Sequence, residues 1–198
     1  DLTIFMGDNS AGKSYLAKHL VNIGIVQSHT GFAIPIKHLA YRLYCSGGSL
    51  DGNRSLTYEE FAQDRKNESI FYNGFSARDF VCSYSDLIQQ FYGPEVWAKT
   101  TYDSIEKGST IVIDDWRRYT ESDYLKNQED VNILTLYLDR EKDEISSSIV
   151  PSSGSSHYEG IIKPEDCDIH FVYKSDYSNF NELLQLITTH VNQFKTND

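Results

Sequence analysis

The chain has 198 residues, of which 39% are hydrophobic and 13% aromatic, a composition that suits one compact globular domain and excludes a disordered or low-complexity chain. Its formal net charge of −11 at pH 7 disfavours long-range attraction to nucleic acid or an anionic membrane, and no apolar run reaches the roughly 18 residues of a membrane span. The three cysteines are widely spaced and form no CxxC pair, which argues against a disulfide framework or a zinc site. We therefore expect a soluble, cytoplasmic protein without a membrane partner.

The first half of the chain predicts one strand followed by helices. The apolar run Leu2–Met6 predicts a buried strand that breaks at Gly7,. Apolar residues at helical spacing then predict helices at Ser14–Gly24, Phe32–Tyr44, Ser76–Phe91 and Glu95–Glu106,. Residues 45–73 are polar, and only Tyr58–Phe61 indicates a further short helix there,.

The second half of the chain predicts strands separated by polar segments. Buried-strand patterns occur at Thr110–Asp115, Val131–Leu138 and Asp168–Tyr173, and an amphipathic helix is predicted at Ser178–Phe194,. The Ser-rich stretch 146–156 has the composition of a mobile loop,. Strands that alternate with helices predict a parallel sheet covered on both faces.

The segment Gly7–Ser14 matches the phosphate-binding pattern GxxxxGK[ST], after a predicted strand and before a predicted helix,. Glycines let backbone N–H groups turn inward around a phosphate, and the helix N-terminus points at the same anion. In this pattern Lys13 reaches the β- and γ-phosphates, and the Ser14 hydroxyl is a ligand of Mg²⁺. ATP and Mg²⁺ are therefore the predicted cofactors, with the contacts supplied by Gly7, Asn9, Ser10, Ala11, Gly12, Lys13, Ser14 and Tyr15.

Two carboxylates follow the second strand pattern, at the end where α/β sheets place their ligands. Asp114 and Asp115 both qualify to hold metal-bound water, orient an arginine or accept a proton from a sugar hydroxyl. Asp115 is favoured because of its register with Arg117. The alternative is that these acids form a solvated charge cluster with Arg117 and Arg118 that stabilises a turn.

Four segments give most of the chain a resemblance to the phage deoxynucleoside monophosphate kinases and, more loosely, to the phosphomevalonate kinases. They are the glycine-rich loop, Phe32–Ala40, the stretch from Arg78 through Ser85-Asp86 to Trp97, and Asp115–Glu121. The last is similar to the family's D-x-R-[FR]-x-x-E pattern and is the most discriminating. The third departs from the family's pattern at Val81 and Tyr84, which leaves open which base fits beside it.

The resemblance implies a three-layer P-loop NTPase fold of the nucleoside monophosphate kinase type, with a central five-stranded parallel sheet of order 2-3-1-4-5. It implies a single domain over residues 1–198, an acceptor-binding helical insertion at about 45–100 and a mobile lid at about 140–160. It also allows a homodimer and a location in the cytoplasm of a phage host. Catalytic roles are implied for Lys13, Arg78, Asp115 and Arg117, and an ATP contact for Arg140. The implied acceptor site consists of Lys37, Arg78, Ser85, Trp97, Asp115, Arg117 and Glu121.

The expected activity is ATP-dependent phosphoryl transfer to a deoxynucleoside 5′-monophosphate, which gives the diphosphate. One alternative is a kinase that phosphorylates a 5-hydroxymethylpyrimidine base within phage DNA, although the net charge disfavours DNA binding,. A second alternative is a non-catalytic ATP-binding module. A GTPase is disfavoured because the sequence has no NKxD segment for guanine recognition.

Overall fold

The computed structural model describes residues 2–7, 12–47, 56–71, 73–141, 162–174 and 176–196. The strands are β1 (Leu2–Gly7), β2 (Ser28–Thr30), β3 (Ile111–Ile113), β4 (Ile133–Arg140) and β5 (Ile169–Tyr173). The helices are α1 (Lys13–Asn22), α2 (Ala33–Gly47), α3 (Ala77–Tyr92), α4 (Val96–Ser104), α5 (Tyr119–Lys126) and α6 (Phe180–Thr196), with a π-helical turn at Glu60–Asp64 and a 3-10 turn at Pro164–Asp166.

The chain divides into two compact units. The first, called the sheet unit below, combines Asp1–Gly31 with Ile105–Asp198 and contains all five strands. The second, called the helical unit, is Phe32–Ser104. It contains α2, the π-helical turn, α3 and α4, which pack on one another.

The strands of the sheet unit are parallel, in the order β2-β3-β1-β4-β5. The ladder between β1 and β4 runs from the Leu2–Ile133 pair to the Gly7–Leu138 pair, whereas β2 and β3 are three residues long. Parallel strands have their carboxyl ends at one edge of the sheet. The end of β3 therefore lies on the same side as Gly7, which leads into the glycine-rich loop.

The order and direction of the strands are those predicted, but the predicted fold class, a three-layer P-loop NTPase fold with a central five-stranded parallel sheet, is corrected. The chain is mixed α/β, and its sheet is short on the β2-β3 side and confined to the sheet unit. About a third of the chain packs as a separate helical unit that begins at Phe32, before the predicted insertion at about 45. The reason is that α2 packs against α3 and α4 and so joins the helical unit.

The core of the sheet unit lies between the sheet and two helices. Val112 of β3 and alternate residues of β4 and β5 are buried against α1 and α6, because side chains alternate between the faces of a strand,. This cluster contains Leu16, Ala17, Leu20, Val26, Val112, Leu136, Leu138, Phe171, Tyr173, Leu183, Ile187 and Val191. It fixes α1, and with it the start of that helix, against the sheet.

The helical unit has its own core, made largely of aromatic rings from α2 and the π-helical turn. Tyr44 and Phe61 are buried with ring centroids 5.3 Å apart, and Tyr41 donates a hydrogen bond of 2.9 Å to the Leu56 carbonyl. The start of α3 is capped reciprocally, since the Asp79 N–H donates to the Ser76 hydroxyl and the Ser76 N–H donates to the Asp79 carboxylate,. Tyr84 packs against this core with Phe80.

The predicted strands and long helices occur close to their predicted positions. The short helix expected at Tyr58–Phe61 is present as the π-helical turn and the residues before it. Three elements have no counterpart in the sequence patterns, namely the polar strand β2, the helix α5 and the 3-10 turn. Within the described part of the chain, none of the helices is both long and apolar enough to cross a membrane.

Some of the predicted features lie outside the described residues. These are the loop residues Asn9, Ser10 and Ala11 and nearly all of the lid expected at about 140–160. Arg140 ends β4, where it pairs with Tyr173 of β5.

Candidate functional site

The start of α1 has the geometry expected after a glycine-rich loop. Gly12 adopts φ +78°, a left-handed conformation that glycine takes without the strain of a side chain, and its carbonyl accepts from the Leu16 N–H at 2.9 Å,. Lys13 and Ser14 are the first residues of the helix. The N–H groups of this first turn have no acceptor within the helix, and together with the positive end of the helix dipole they favour an anion at this position.

Asp114 meets the first turn of α1 from the end of β3. The Ser14 hydroxyl donates to its carboxylate, and His29 of β2 places Nε2 3.0 Å from Asp114 Oδ1. Only 12% of the Asp114 side chain is exposed. Three short segments of the sheet unit thus bring a hydroxyl, a carboxylate and an imidazole together beside Lys13.

The environment of Asp114 favours its charged form. Burial alone would raise the pKa of the carboxyl, but the contacts with His29 and Ser14 stabilise the negative charge and hold the pKa below its usual value,. Asp114 is therefore ionised at neutral pH. A buried carboxylate that is charged and held in place can bind a cation or accept a hydrogen bond from the hydroxyl beside it.

Asp115 lies against Gly31, which follows β2. A Cβ on Gly31 would be 2.6 Å from Asp115 Oδ2, so only glycine leaves room for the carboxylate in its present position. Asp115 is partly buried and lies near enough to Glu121 to raise the pKa of that carboxyl. Two of the predicted acceptor residues, Asp115 and Glu121, thus lie close together. Gly31, which the sequence analysis did not identify, lies against Asp115.

Glu121 and Arg117 have different surroundings, although both were predicted in the acceptor site. Glu121 Oε2 accepts the backbone N–H groups of Arg117 and Arg118, at 3.0 and 3.1 Å, and so caps the start of α5. Burial is the main reason that its pKa is raised to about 7, and the nearby Asp115 adds to the effect,. The Arg117 side chain is exposed to solvent, whereas Trp116 before it is buried.

An exposed aromatic ring lies directly after the phosphate motif. Tyr15 is 67% exposed, and its ring stacks on His19 one turn later, with centroids 6.2 Å apart. Phe180 at the start of α6 packs edge-on against His19 at 5.3 Å. The three rings give the sheet unit an apolar face next to the start of α1, suited to stacking with a planar ligand.

The other predicted acceptor residues belong to the helical unit. Trp97 is 3% exposed, and its Nε1 donates to the Ser85 hydroxyl at 2.9 Å, so this pair joins α4 to α3 within the core. In this arrangement the indole has no open face for an acceptor base. Arg78 is exposed at the start of α3, and Lys37 is partly buried in α2.

The donor set beside Lys13 fits Mg²⁺ but does not complete its coordination. Mg²⁺ takes oxygen ligands and is usually held by one or two protein groups together with substrate phosphates and water. Ser14 and Asp114 supply a hydroxyl and a carboxylate. Among the described residues, no group of three or more His, Cys, Asp or Glu side chains is arranged to hold a metal ion. Water or phosphate oxygens would have to supply the remaining ligands.

Sequence reasoning favoured Asp115 over Asp114 and overlooked His29. Nothing in the pattern Ser28-His29-Thr30 marks a strand, because all three residues are polar. The available signal was indirect, since the five-stranded sheet that the resemblance implied needs one strand more than the four that the sequence patterns predicted. The contact between His29 and Asp114 depends on pairing between segments more than 80 residues apart in sequence.

Neither protein-family models nor curated proteins provide a match for this chain.

Proposed function

We propose that this protein is an ATP-dependent kinase that transfers a phosphoryl group to a small phosphorylated acceptor, with a deoxynucleoside 5′-monophosphate as the favoured substrate. The observation that carries the proposal is the hydrogen bond from Ser14 to the ionised Asp114 at the start of α1. A P-loop serine and a strand-end aspartate are the two protein groups by which such enzymes hold the metal of a metal–triphosphate complex.

In this proposal, residues of the sheet unit bind ATP, which is the phosphoryl donor. Lys13 supplies positive charge to the outer phosphates, and the first N–H groups of α1 bind phosphate oxygens,. Ser14 and Asp114 would hold Mg²⁺, which when bound neutralises charge on the phosphates. The rings of Tyr15, His19 and Phe180 would offer a stacking surface to the nucleotide base,.

The acceptor side is proposed around Asp115, in agreement with the family resemblance. Asp115 follows Asp114 directly, and Arg117, with its exposed side chain, is two residues further on. A guanidinium group binds the oxygens of a monophosphate in a forked geometry. On a chain with a net charge of −11, a small anionic acceptor needs such a local cation to bind. The proposal also places the protein in the cytoplasm, where ATP and nucleotides are present.

The test uses the purified chain with labelled ATP and Mg²⁺, and a panel of deoxynucleoside and ribonucleoside monophosphates read by chromatography. Labelled diphosphate supports the proposal. Label retained on hydroxymethyluracil-containing DNA, with none on free monophosphates, would replace it with the DNA-base kinase. ATP that binds but transfers no label to any acceptor would replace it with a non-catalytic ATP-binding module.

The variant Lys13→Ala tests the donor site, and Lys18→Ala is its control because Lys18 is exposed on the same helix. Loss of Lys13 should lower turnover by at least about a hundredfold, the usual effect of removing a group that stabilises transition-state charge. Lys18→Ala should retain full turnover. Arg117→Ala should weaken use of the monophosphate far more than binding of ATP. Full activity in Lys13→Ala would contradict the donor site.

A further inference from the structure

His29 lies in a position to control the geometry of Asp114. Its strand, β2, pairs with β3 so that His29 is in register with Val112. Side chains alternate along a strand, so Val112 and the residue two places on, Asp114, point to one face. That is the face on which Val112 packs with α1. The pairing therefore aims the imidazole at the carboxylate that Ser14 also contacts.

The polar strand β2 is held in this register by contacts just before it. The Gln27 N–H donates to the Thr110 carbonyl at 2.7 Å, and the Gln27 side-chain oxygen accepts from the Thr110 N–H at 2.7 Å. This double contact binds the chain before β2 to the chain before β3. A three-residue strand of Ser, His and Thr contributes little apolar burial, so its register depends on such hydrogen bonds,.

The surroundings of the imidazole make the contact specific. His29 Nε2 has almost no solvent exposure and lies 3.0 Å from Asp114 Oδ1, which is an ion-pair distance, although the contact does not have the geometry of a hydrogen bond. A carboxylate oxygen can only accept, so the contact requires the proton on Nε2. With Ser14 on the same carboxylate, two neighbours restrain the Asp114 side chain.

We propose that His29 is a positioning residue that holds the Asp114 carboxylate in the orientation needed to bind the metal of the metal–triphosphate complex. The inference rests on the proposed function, because it assigns Asp114 to that metal. Removing a group that holds a metal ligand in place typically weakens metal binding by about 10-fold to 100-fold. His29 would act through Asp114 without touching the nucleotide.

The experiment measures Mn²⁺ affinity by electron paramagnetic resonance, on the full chain with a non-hydrolysable ATP analogue. His29→Leu removes the donor and keeps an apolar side chain, and His29→Gln restores an N–H donor at a similar reach. Thr30→Val is the control, because Thr30 lies in the same strand but points to the opposite face,. Circular dichroism and thermal unfolding establish that each variant is folded.

We expect His29→Leu to bind Mn²⁺ at least about 10-fold more weakly than the wild type, while His29→Gln recovers most of the affinity and Thr30→Val retains it. Equal affinity in His29→Leu and the wild type would overturn the positioning role alone. The same would follow if Thr30→Val lost as much affinity as His29→Leu. A wild-type chain that binds no Mn²⁺ with the analogue would overturn the metal site and this inference together. Weaker Mn²⁺ binding in His29→Leu, in a protein that transfers no phosphate, would uphold the inference and reject the kinase.

Discussion

The buried carboxyl of Glu121 should make the stability of the sheet unit depend on pH. Its Oε2 accepts two backbone N–H groups at the start of α5, yet burial raises its pKa from the usual 4.5 to about 7. The variant Glu121→Gln keeps a side-chain oxygen for those N–H groups and removes the titration. A comparison of the two proteins therefore isolates the ionisation of this one carboxyl.

The sign follows from proton binding. Between pH 4.5 and about 7 the folded chain holds a proton on Glu121 that the unfolded chain releases, so this contribution to stability is present below pH 4.5 and is lost as the pH rises through about 7,. At about 1.4 kcal/mol for each pH unit, the loss totals about 3 kcal/mol. Most of it falls between about pH 5 and pH 8. Glu121→Gln has no such loss.

The assay is urea unfolding at several pH values, followed by tryptophan fluorescence, because Trp116 is buried just before α5. From about pH 5 to about pH 8, the free energy of unfolding of Glu121→Gln should rise by roughly 2 to 3 kcal/mol relative to the wild type. Asp123→Asn is the control, since Asp123 is exposed on the same helix and its removal measures the effect of net charge on α5. A difference between Glu121→Gln and the wild type that does not change with pH would refute the reasoning.

Two further variants test the contacts of Gly31 and Ser85. In Gly31→Ala the new methyl would lie 2.6 Å from Asp115 Oδ2, so the carboxylate has to move by about 0.8 Å to reach ordinary contact distance. A displacement of that size should lower kcat/KM for the monophosphate by up to about a hundredfold. Binding of ATP should stay intact. Gly47→Ala, whose methyl meets nothing within 4 Å, should have no effect on either. In Ser85→Ala the buried Trp97 Nε1 loses its acceptor, so the free energy of unfolding measured in urea should fall by about 1 to 3 kcal/mol.

Each of these two predictions has a result that contradicts it. An unchanged kcat/KM in Gly31→Ala would mean that the position of Asp115 is not important for the acceptor. For the helical unit, Ser83→Ala is the matched control because Ser83 is exposed on the same helix. If Ser85→Ala were no less stable than Ser83→Ala, the indole hydrogen bond would not contribute to stability.

The features that the sequence predicts well are those that neighbouring residues determine. The strand Leu2–Gly7 and the helix Lys13–Asn22 follow from an apolar run and from helical spacing, all within about 20 residues,. The ends of α3 are local as well, since Ser76 caps one end and Gly93 follows the other. The P-loop motif is itself local and carries the proposal of a triphosphate site.

Tertiary structure alone decides the features that depend on pairing between distant segments. The polar strand β2 exists because it pairs with β3, and that pairing brings His29 to Asp114. The sequence-based choice of Asp115 rested on its spacing from Arg117 and could not detect the contact between Ser14 and its neighbour Asp114. The resemblance implied a place for Trp97 in the acceptor site, but the hydrogen bond of Trp97 to Ser85 and its burial are set by the packing of α3 and α4. A side chain's partner across the fold depends on register and burial, which local spacing does not encode.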